Sequence, residues 1–140
     1  YAVDVGKSQL HSRLVADPRV AVLDGCNARH LQPGDLPEAP DLAVTDVSFI
    51  SLRLILPAID RLLRPGGETI ALIKPQFEAG RAEVGQGGVV RDPALRLRIR
   101  GEIRDCGAQT LGWQWHDFCP SPIQGPAGNV EFLSYWRKSP

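Results

Sequence analysis

Four polar residues each follow a short apolar run, and their side chains are the first candidates for chemistry: Asp4, Asn27, Asp46 and Lys74. In open α/β sheets, ligands bind outside the carboxyl ends of the strands. If the apolar runs are parallel strands, these four side chains lie along one ligand-binding edge. Their types, two acids, an amide and an amine, are suited to binding a nucleoside and to moving a proton.

Lys74 is the most informative of them. It ends the apolar run Ile70–Ile73 and is followed by Pro75, so its amine is held near low-dielectric surroundings, where it could act as a base or as a hydrogen-bond donor. The alternative is a lysine whose stem packs while its amine reaches water. Glu131, placed between Val130 and Phe132, is either a partner for Lys74 or a charge that protects an edge strand.

Asp4 and Asn27 each have a functional and a structural interpretation. Asp4 could accept hydrogen bonds from both ribose hydroxyls of a nucleotide, or it could cap a turn. Asn27 could offer its amide to a purine edge, or it could be a turn residue with a left-handed backbone. Asp46 precedes Val47-Ser-Phe-Ile-Ser51, a segment apolar enough to be a pocket wall. Ser51 is expected to cap the next helix, since no glycine-flanked nucleophile elbow surrounds it.

The elements that position these residues alternate between strand and helix. The predicted strands are 1–4, 19–23, 41–46, 68–73, 109–118 and 130–136. The predicted helices are 9–16 with Ser8 as its cap, 52–63 with a kink or restart at Pro57, and 93–105 with Gly107 just beyond its end. This order predicts an α/β fold with a mostly parallel sheet, and the short link between the last two strands predicts an antiparallel hairpin at one edge.

Composition excludes several classes of protein. The chain has 140 residues, the size of one domain, and 16 Lys and Arg residues balance 16 Asp and Glu residues, which excludes a non-specific polyanion-binding tail. No apolar run approaches the ~18 residues of a membrane span, and no signal-peptide pattern opens the chain. The three cysteines form no C-x-x-C pair and the three histidines are scattered. We therefore expect a soluble cytoplasmic protein without a metal site or membrane association.

Five sequence blocks carry a family resemblance: Tyr1-Ala-Val-Asp-Val-Gly, Asp46-Val-Ser-Phe-Ile-Ser-Leu, Ile73-Lys-Pro-Gln-Phe-Glu, Gly87-Gly-Val-Val-Arg-Asp-Pro and Gly128-Asn-Val-Glu-Phe-Leu. In this order, and over nearly the whole chain, they resemble the TlyA, or hemolysin A-type, ribosomal RNA methyltransferases, relatives of the FtsJ 2′-O-methyltransferases. The resemblance implies a Rossmann-like S-adenosylmethionine-dependent methyltransferase fold. It also implies methylation of ribose 2′-hydroxyls, with ribosomal RNA or ribosomal subunits as the partner.

The resemblance also assigns roles to the candidate residues. Enzymes of this kind use a Lys-Asp-Lys-Glu tetrad, and Asp46, Lys74 and Glu131 occupy its last three positions. Asp4 is expected to bind the ribose of S-adenosyl-L-methionine, Asn27 occupies the adenine side, and Asp46 also borders the cofactor. No metal takes part in this scheme.

The chain departs from the family pattern at its beginning. The family's glycine-rich cofactor loop, its first tetrad lysine and its S4-type RNA-binding domain all precede the position of Asp4, and none has a counterpart here. We therefore expect residues 1–140 to be a partial FtsJ-like domain from a longer protein. In the family, the missing first strand lies between the strands ending at Asp4 and Asp46, so those two edges should be unpaired. Lys7-Ser8 also replaces aromatic or glycine residues of the family.

Two other functions remain open from the sequence. The segment Asp46-Val-Ser-Phe49 has the outline of an acid-x-x-aromatic motif that grips an exocyclic amine, which would mean N-methylation of a flipped base. Alternatively, the domain is a non-catalytic RNA-binding remnant. Five arginines face two acids between residues 91 and 104, and they form either a phosphate-binding surface or a solvated helix face.

Overall fold

The computed structural model describes residues 1–140, and its strands form two separate sheets. The first sheet is a parallel pair, β1 (Ala2–Asp4) and β2 (Val22–Asp24). The second has the strand order β3-β4-β6-β5 and contains β3 (Leu42–Thr45), β4 (Glu68–Ile73), β5 (Gln114–Pro120) and β6 (Phe132–Arg137). β3 is parallel to β4, whereas β6 is antiparallel to both of its neighbours. The α/β class and the antiparallel hairpin at one edge are therefore confirmed.

Two of the four α-helices cover one face of the larger sheet. The helices are α1 (Ser12–Val15), α2 (Leu52–Leu62), α3 (Pro75–Glu78) and α4 (Pro93–Asp105). Apolar side chains of α2 and α4 pack against alternate residues of β4, Ala71 and Ile73, and against Trp136 of β6. This alternation along β4 is expected where one face of a strand is buried. None of the helices has the length and apolarity that crossing a membrane requires.

The two sheets are separated by an apolar slot. β1 pairs only with β2, and β3 pairs only with β4. A cavity of about 240 Å³ lies between them, lined by Tyr1 and Val3 on one side and by residues 42–47 on the other. Unpaired strand edges leave backbone N–H and C=O groups without ladder partners. The predicted gap between the strands that end at Asp4 and Asp46 is thus present in the structure.

The predicted helix over 9–16 is wrong in its start and its cap. Ser8 has a left-handed backbone, with φ of 58°, and its N–H donates to the Asp24 carboxylate at 2.8 Å. The chain after β1 is therefore tied to the end of β2 and cannot begin a helix at Ser8. The helix starts four residues later, where the His11 side chain accepts a hydrogen bond from the Arg13 N–H.

Two other boundaries differ from the sequence prediction. Residues Cys106–Thr110 continue from α4 as a π-helical turn, so the fifth strand starts at Gln114 and not at 109. Gly107 lies within this turn, not beyond the end of a helix, and its backbone packs against the indole of Trp136, where an added Cβ would lie 3.0 Å from Nε1. α2 continues as one helix through Pro57, because burial of its apolar face outweighs the hydrogen bond that the proline removes.

Candidate active site

Lys74 and Asp46 meet at the carboxyl ends of the neighbouring parallel strands β4 and β3. The Lys74 Nζ atom lies 2.6 Å from Asp46 Oδ1 and donates to Ser48 Oγ at 3.0 Å. The Lys74 side chain is only 12% exposed, whereas that of Asp46 is 65% exposed. The amine is therefore fixed in one place by two acceptors, and the carboxylate beside it remains open to solvent.

Glu131 lies next to this pair in the sheet but does not contact Lys74. Ile73 pairs with Phe132, so Glu131 stands opposite Lys74 in register, yet the two side chains form no ion pair. The Glu131 carboxylate accepts a hydrogen bond from Gln76 Nε2 at 2.8 Å and is 5% exposed. The interpretation as an edge-strand charge is wrong, because β6 is paired on both sides and Glu131 is buried.

Gly125 brings its backbone against the Glu131 carboxylate. A Cβ atom built on this glycine would lie 2.1 Å from Glu131 Oε1. The backbone of Gly125 has a φ of −70°, so only this close approach, and no special conformation, requires glycine. The 125–129 turn therefore forms one wall around the buried acid.

Asp4 ends β1, and Asn27 follows the end of β2 by three residues, so both lie on the side of the other sheet. Asp4 Oδ1 accepts a hydrogen bond from the Gly6 N–H at 2.7 Å, and Asn27 Oδ1 accepts one from the Arg29 N–H at 3.1 Å. Asp4 thus stabilises a local turn, as its structural interpretation expected. The left-handed backbone expected for Asn27 is wrong, because Asn27 is extended, with φ of −79°, and its side chain caps the turn that follows. Asp4 Oδ2 and the Asn27 amide nitrogen form no hydrogen bond within the chain, so both remain available to a ligand.

Glu78 is a functional candidate to which sequence reasoning assigned no role. Its carboxylate accepts hydrogen bonds from Ser51 Oγ at 2.5 Å and from the Leu52 N–H at 2.7 Å, which joins α3 to the first turn of α2. Burial raises the pKa of Glu78 above its ordinary value, although both hydrogen bonds and the charge of Arg53 oppose this increase. The sequence feature that could have identified Glu78 is its position four residues after Lys74.

Asn129 is a second residue whose role was missed. It is 2% exposed, accepts a hydrogen bond from the Val90 N–H at 3.0 Å, and donates to the carbonyls of Gly88 and Pro126. It therefore holds the glycine-bearing loop before α4 against the turn that precedes Glu131. An asparagine between Gly128 and Val130 was the only signal in the sequence.

Phe49 projects from the loop between β3 and α2. Its side chain is 90% exposed and its φ is 61°, a conformation that is strained for a bulky residue. The ring centroid lies 4.9 Å from that of Phe77. These two rings form an exposed aromatic surface beside Lys74, since Phe77 follows it by three residues.

The arginines of α4 are largely engaged within the chain. Arg98 forms ion pairs with Glu83 and Glu102, and the Arg100 guanidinium lies 3.7 Å from the ring centroid of Phe118. Glu83 comes from outside the 91–104 segment and reduces its positive charge. The arrangement favours a solvated, ion-paired helix face over a phosphate-binding surface.

The model of the FtsJ-like methyltransferase family matches residues 1–138. The chain belongs to this family. The TlyA 16S/23S rRNA (cytidine-2′-O)-methyltransferase of Mycobacterium tuberculosis is 46% identical over 137 residues, which cover 97% of this chain and 50% of that protein. The "Putative rRNA methyltransferase YqxC" of Bacillus subtilis is 47% identical over 134 residues, covering 95% of this chain and 47% of its own length.

A solved structure agrees with this membership. "The crystal structure of a putative hemolysin from Lactococcus lactis" superposes with a TM-score of 0.95 at 44% identity and covers 99% of this chain and 66% of that one. The chain spans about half the length of the two curated relatives it matches. As a member of the FtsJ-like family it has the expected Rossmann-like methyltransferase fold, here with two sheets separated by the slot.

Proposed function

We propose that residues 1–140 form the methyltransferase domain of an enzyme that transfers a methyl group from S-adenosylmethionine to a ribose 2′-hydroxyl of ribosomal RNA. The observation that carries the proposal is the amine of Lys74, fixed between Asp46 and Ser48 at the carboxyl ends of two parallel strands. The printed name of the TlyA relative, an rRNA (cytidine-2′-O)-methyltransferase, supports this choice of substrate. Such an enzyme works in the cytoplasm, where ribosomal RNA is found.

The residues of the first sheet fit the cofactor. A nucleoside offers a ribose diol and a purine edge, and the free oxygen of Asp4 and the free amide nitrogen of Asn27 are suited to these groups. Asp4 lies at the carboxyl end of β1, and Asn27 lies in the loop that follows β2. When bound, S-adenosylmethionine supplies the methyl group on its sulfonium.

In the proposed reaction, Lys74 acts on the ribose hydroxyl that attacks the methyl group. Methyl transfer is an in-line displacement that requires alignment of the hydroxyl and removal of its proton. The amine can receive that proton only after it has released one of its own, whereas as an ammonium it stabilises the oxygen anion as it forms. Asp46 orients the amine and balances its charge, and Glu131, held by Gln76, provides a buried carboxylate opposite Lys74 in the sheet register.

Base N-methylation is less consistent with the geometry. An acid-x-x-aromatic motif would use the Asp46 carboxylate to bind an exocyclic amine, but Oδ1 already binds Lys74 Nζ at 2.6 Å, which leaves one carboxylate oxygen for a base. In that scheme neither Lys74 nor Glu131 has a role. The exposed Phe49 ring instead provides a surface on which an RNA base can stack beside the reacting ribose.

The slot between the sheets is the place for a further strand. Its walls are apolar, the facing edges of β1 and β3 are unpaired, and the matched relatives are about twice as long as this chain. A strand from the region preceding Tyr1 in the full-length gene product would join both sheets. The cofactor residues of the first sheet and the amine of the second would then be held in one rigid frame.

The position of the transferred methyl group tests the proposed function. We expect the full-length gene product, incubated with S-adenosylmethionine and ribosomal subunits lacking the modification, to produce a 2′-O-methylated nucleoside. Its 3′ phosphodiester bond should resist alkaline cleavage, because the 2′-oxygen can no longer attack it. Mass spectrometry of the digested RNA locates the methyl group, and the Asp46→Asn variant is expected to produce much less of it.

Two outcomes contradict the proposal. A methyl group on a base nitrogen or carbon would assign the domain to base methylation. Absence of any methyl transfer by the full-length gene product, together with retained binding to ribosomal RNA, would identify a non-catalytic RNA-binding domain.

A further inference from the structure

The loop between β3 and α2, residues 46–51, needs anchors to keep its shape. Val47 and Ile50 turn inward and pack against the core, while Phe49 is exposed in a left-handed backbone conformation. Such a conformation is strained for a residue with a Cβ atom. It persists only where the surrounding structure over-determines it.

The 46–51 loop is anchored on both sides of the strained residue. On the side before Phe49, Lys74 binds Asp46 and Ser48. On the side after Phe49, Glu78 accepts hydrogen bonds from Ser51 Oγ and from the Leu52 N–H. Both anchors belong to one short segment that runs from the end of β4 through α3.

Lys74 and Glu78 are spaced so that the segment 74–78 reaches both ends of the 46–51 loop. α3 rises about 6 Å over four residues, so Lys74 and Glu78 reach two points on the same loop. The ring of Phe77 contacts that of Phe49 between them, with a centroid separation of 4.9 Å. The segment 74–78 thus contacts the 46–51 loop at its start, its middle and its end.

We propose that Glu78 is a positioning residue, which holds the 46–51 loop so that Asp46 and Ser48 fix the amine of Lys74 in its reactive place. The inference rests on the proposed function, because it concerns the same amine. Without the carboxylate, the Ser51 hydroxyl and the Leu52 N–H lose their acceptor. The loop can then relax its strained conformation and move away from Lys74.

Variants of two glutamates test this role in the full-length gene product. Glu78→Ala removes both acceptors, whereas Glu78→Gln keeps an amide oxygen for the Leu52 N–H and a nitrogen that can donate to Ser51 Oγ. Glu68→Ala is the matched control, since Glu68 also accepts two hydrogen bonds, in its case both from side chains, those of Tyr135 and Arg137, but at the far end of β4. The measurements are amide hydrogen exchange in the 46–51 loop and steady-state methyl transfer.

We expect Glu78→Ala to lower kcat by about 10- to 100-fold, the size of effect that a displacement near 1 Å produces. KM for S-adenosylmethionine should stay within about threefold of the wild-type value, because Asp4 and Asn27 lie outside the 46–51 loop. Amide exchange in the 46–51 loop should become faster. Glu78→Gln should restore most of the turnover and protection, and Glu68→Ala should change neither.

A double variant separates positioning from general loss of stability. If Glu78 acts through Lys74, adding Glu78→Ala to Lys74→Ala should cause no further loss of kcat. An equal loss of kcat in both backgrounds, or unchanged exchange in the 46–51 loop of Glu78→Ala, would overturn the inference. The proposed function fails by a different result, the position of the methyl group made by the wild-type protein, whereas loop exchange remains measurable whatever that position is.

Discussion

Replacing Lys74 with alanine is expected to lower the methyl-transfer turnover of the full-length gene product by roughly 10²–10⁴-fold, the range typical for loss of a general acid or base. The amine lies between Asp46 and Ser48, and the Lys74 side chain is only 12% exposed. We therefore expect that no molecule from the solvent takes its place in the alanine variant. Affinity for S-adenosylmethionine should change little, since Asp4 and Asn27 belong to the other sheet. Single-turnover methylation and calorimetric titration of the cofactor measure the two quantities.

Lys74→Arg distinguishes between the two ways in which this amine can act. Arginine keeps the positive charge but does not release a proton at working pH, so turnover should stay low if proton transfer matters and recover if charge alone suffices. Lys138→Ala is the control for a structural role, because Lys138 donates to the carbonyls of Asp60 and Leu63 at the end of α2. That variant should lower thermal stability and leave turnover unchanged. Near-normal methylation by Lys74→Ala would remove Lys74 from the mechanism.

Gly125→Ala is expected to reduce turnover by about 10²-fold. The substitution adds only one methyl group, and Gly125 is not part of the ion pair between Lys74 and Asp46. The added Cβ would lie 2.1 Å from Glu131 Oε1, far inside van der Waals contact. The carboxylate must therefore move, and its hydrogen bond from Gln76 is lost. Misplacement of about 1 Å near reacting groups can reduce a rate by this factor.

Gly34→Ala provides the control for this substitution. No atom lies within 4 Å of a Cβ built on Gly34, so this variant should keep wild-type turnover. Kinetics and thermal unfolding of both variants distinguish displacement of Glu131 from a loss of folding. Unchanged turnover in Gly125→Ala would mean that the position of Glu131 has no part in the reaction.

Most of the strands and α4 could be predicted because their signals are local. β3 and β4 are short apolar runs that end at Asp46 and Lys74, and α4 starts at Pro93 with the Asp92 side chain as its cap. The errors come from contacts between distant residues. Ser8 fails as a cap because its N–H binds Asp24, and Gly107, predicted to lie beyond the helix end, is buried within a π-helical turn against Trp136.

The candidate site was predictable only as a set of strand ends. Asp46 and Lys74 follow adjacent parallel strands, so the meeting of their side chains follows from the topology. The hydrogen bond from Gln76 to Glu131 could not be predicted, because a strand pattern shows which residues lie opposite each other but not which side chains form hydrogen bonds. The roles of Glu78 and Asn129 depend on hydrogen bonds to residues 26–41 positions away in the chain, which no local pattern reveals.

The position of β6 has a consequence for synthesis of the protein. β6 lies between β4 and β5, and Glu68 pairs with Arg137 across 69 residues of chain. A ribosome releases the chain from its N-terminus, at about 5–20 residues per second, so the interior strand of this sheet emerges after both of its neighbours. Until then, the facing edges of β4 and β5 are exposed, and Trp136 is missing from the core. A chain that stops before residue 132 is therefore expected to lack the interior strand of the larger sheet and to leave that sheet incompletely folded. We expect chaperones to bind the nascent chain until β6 has emerged.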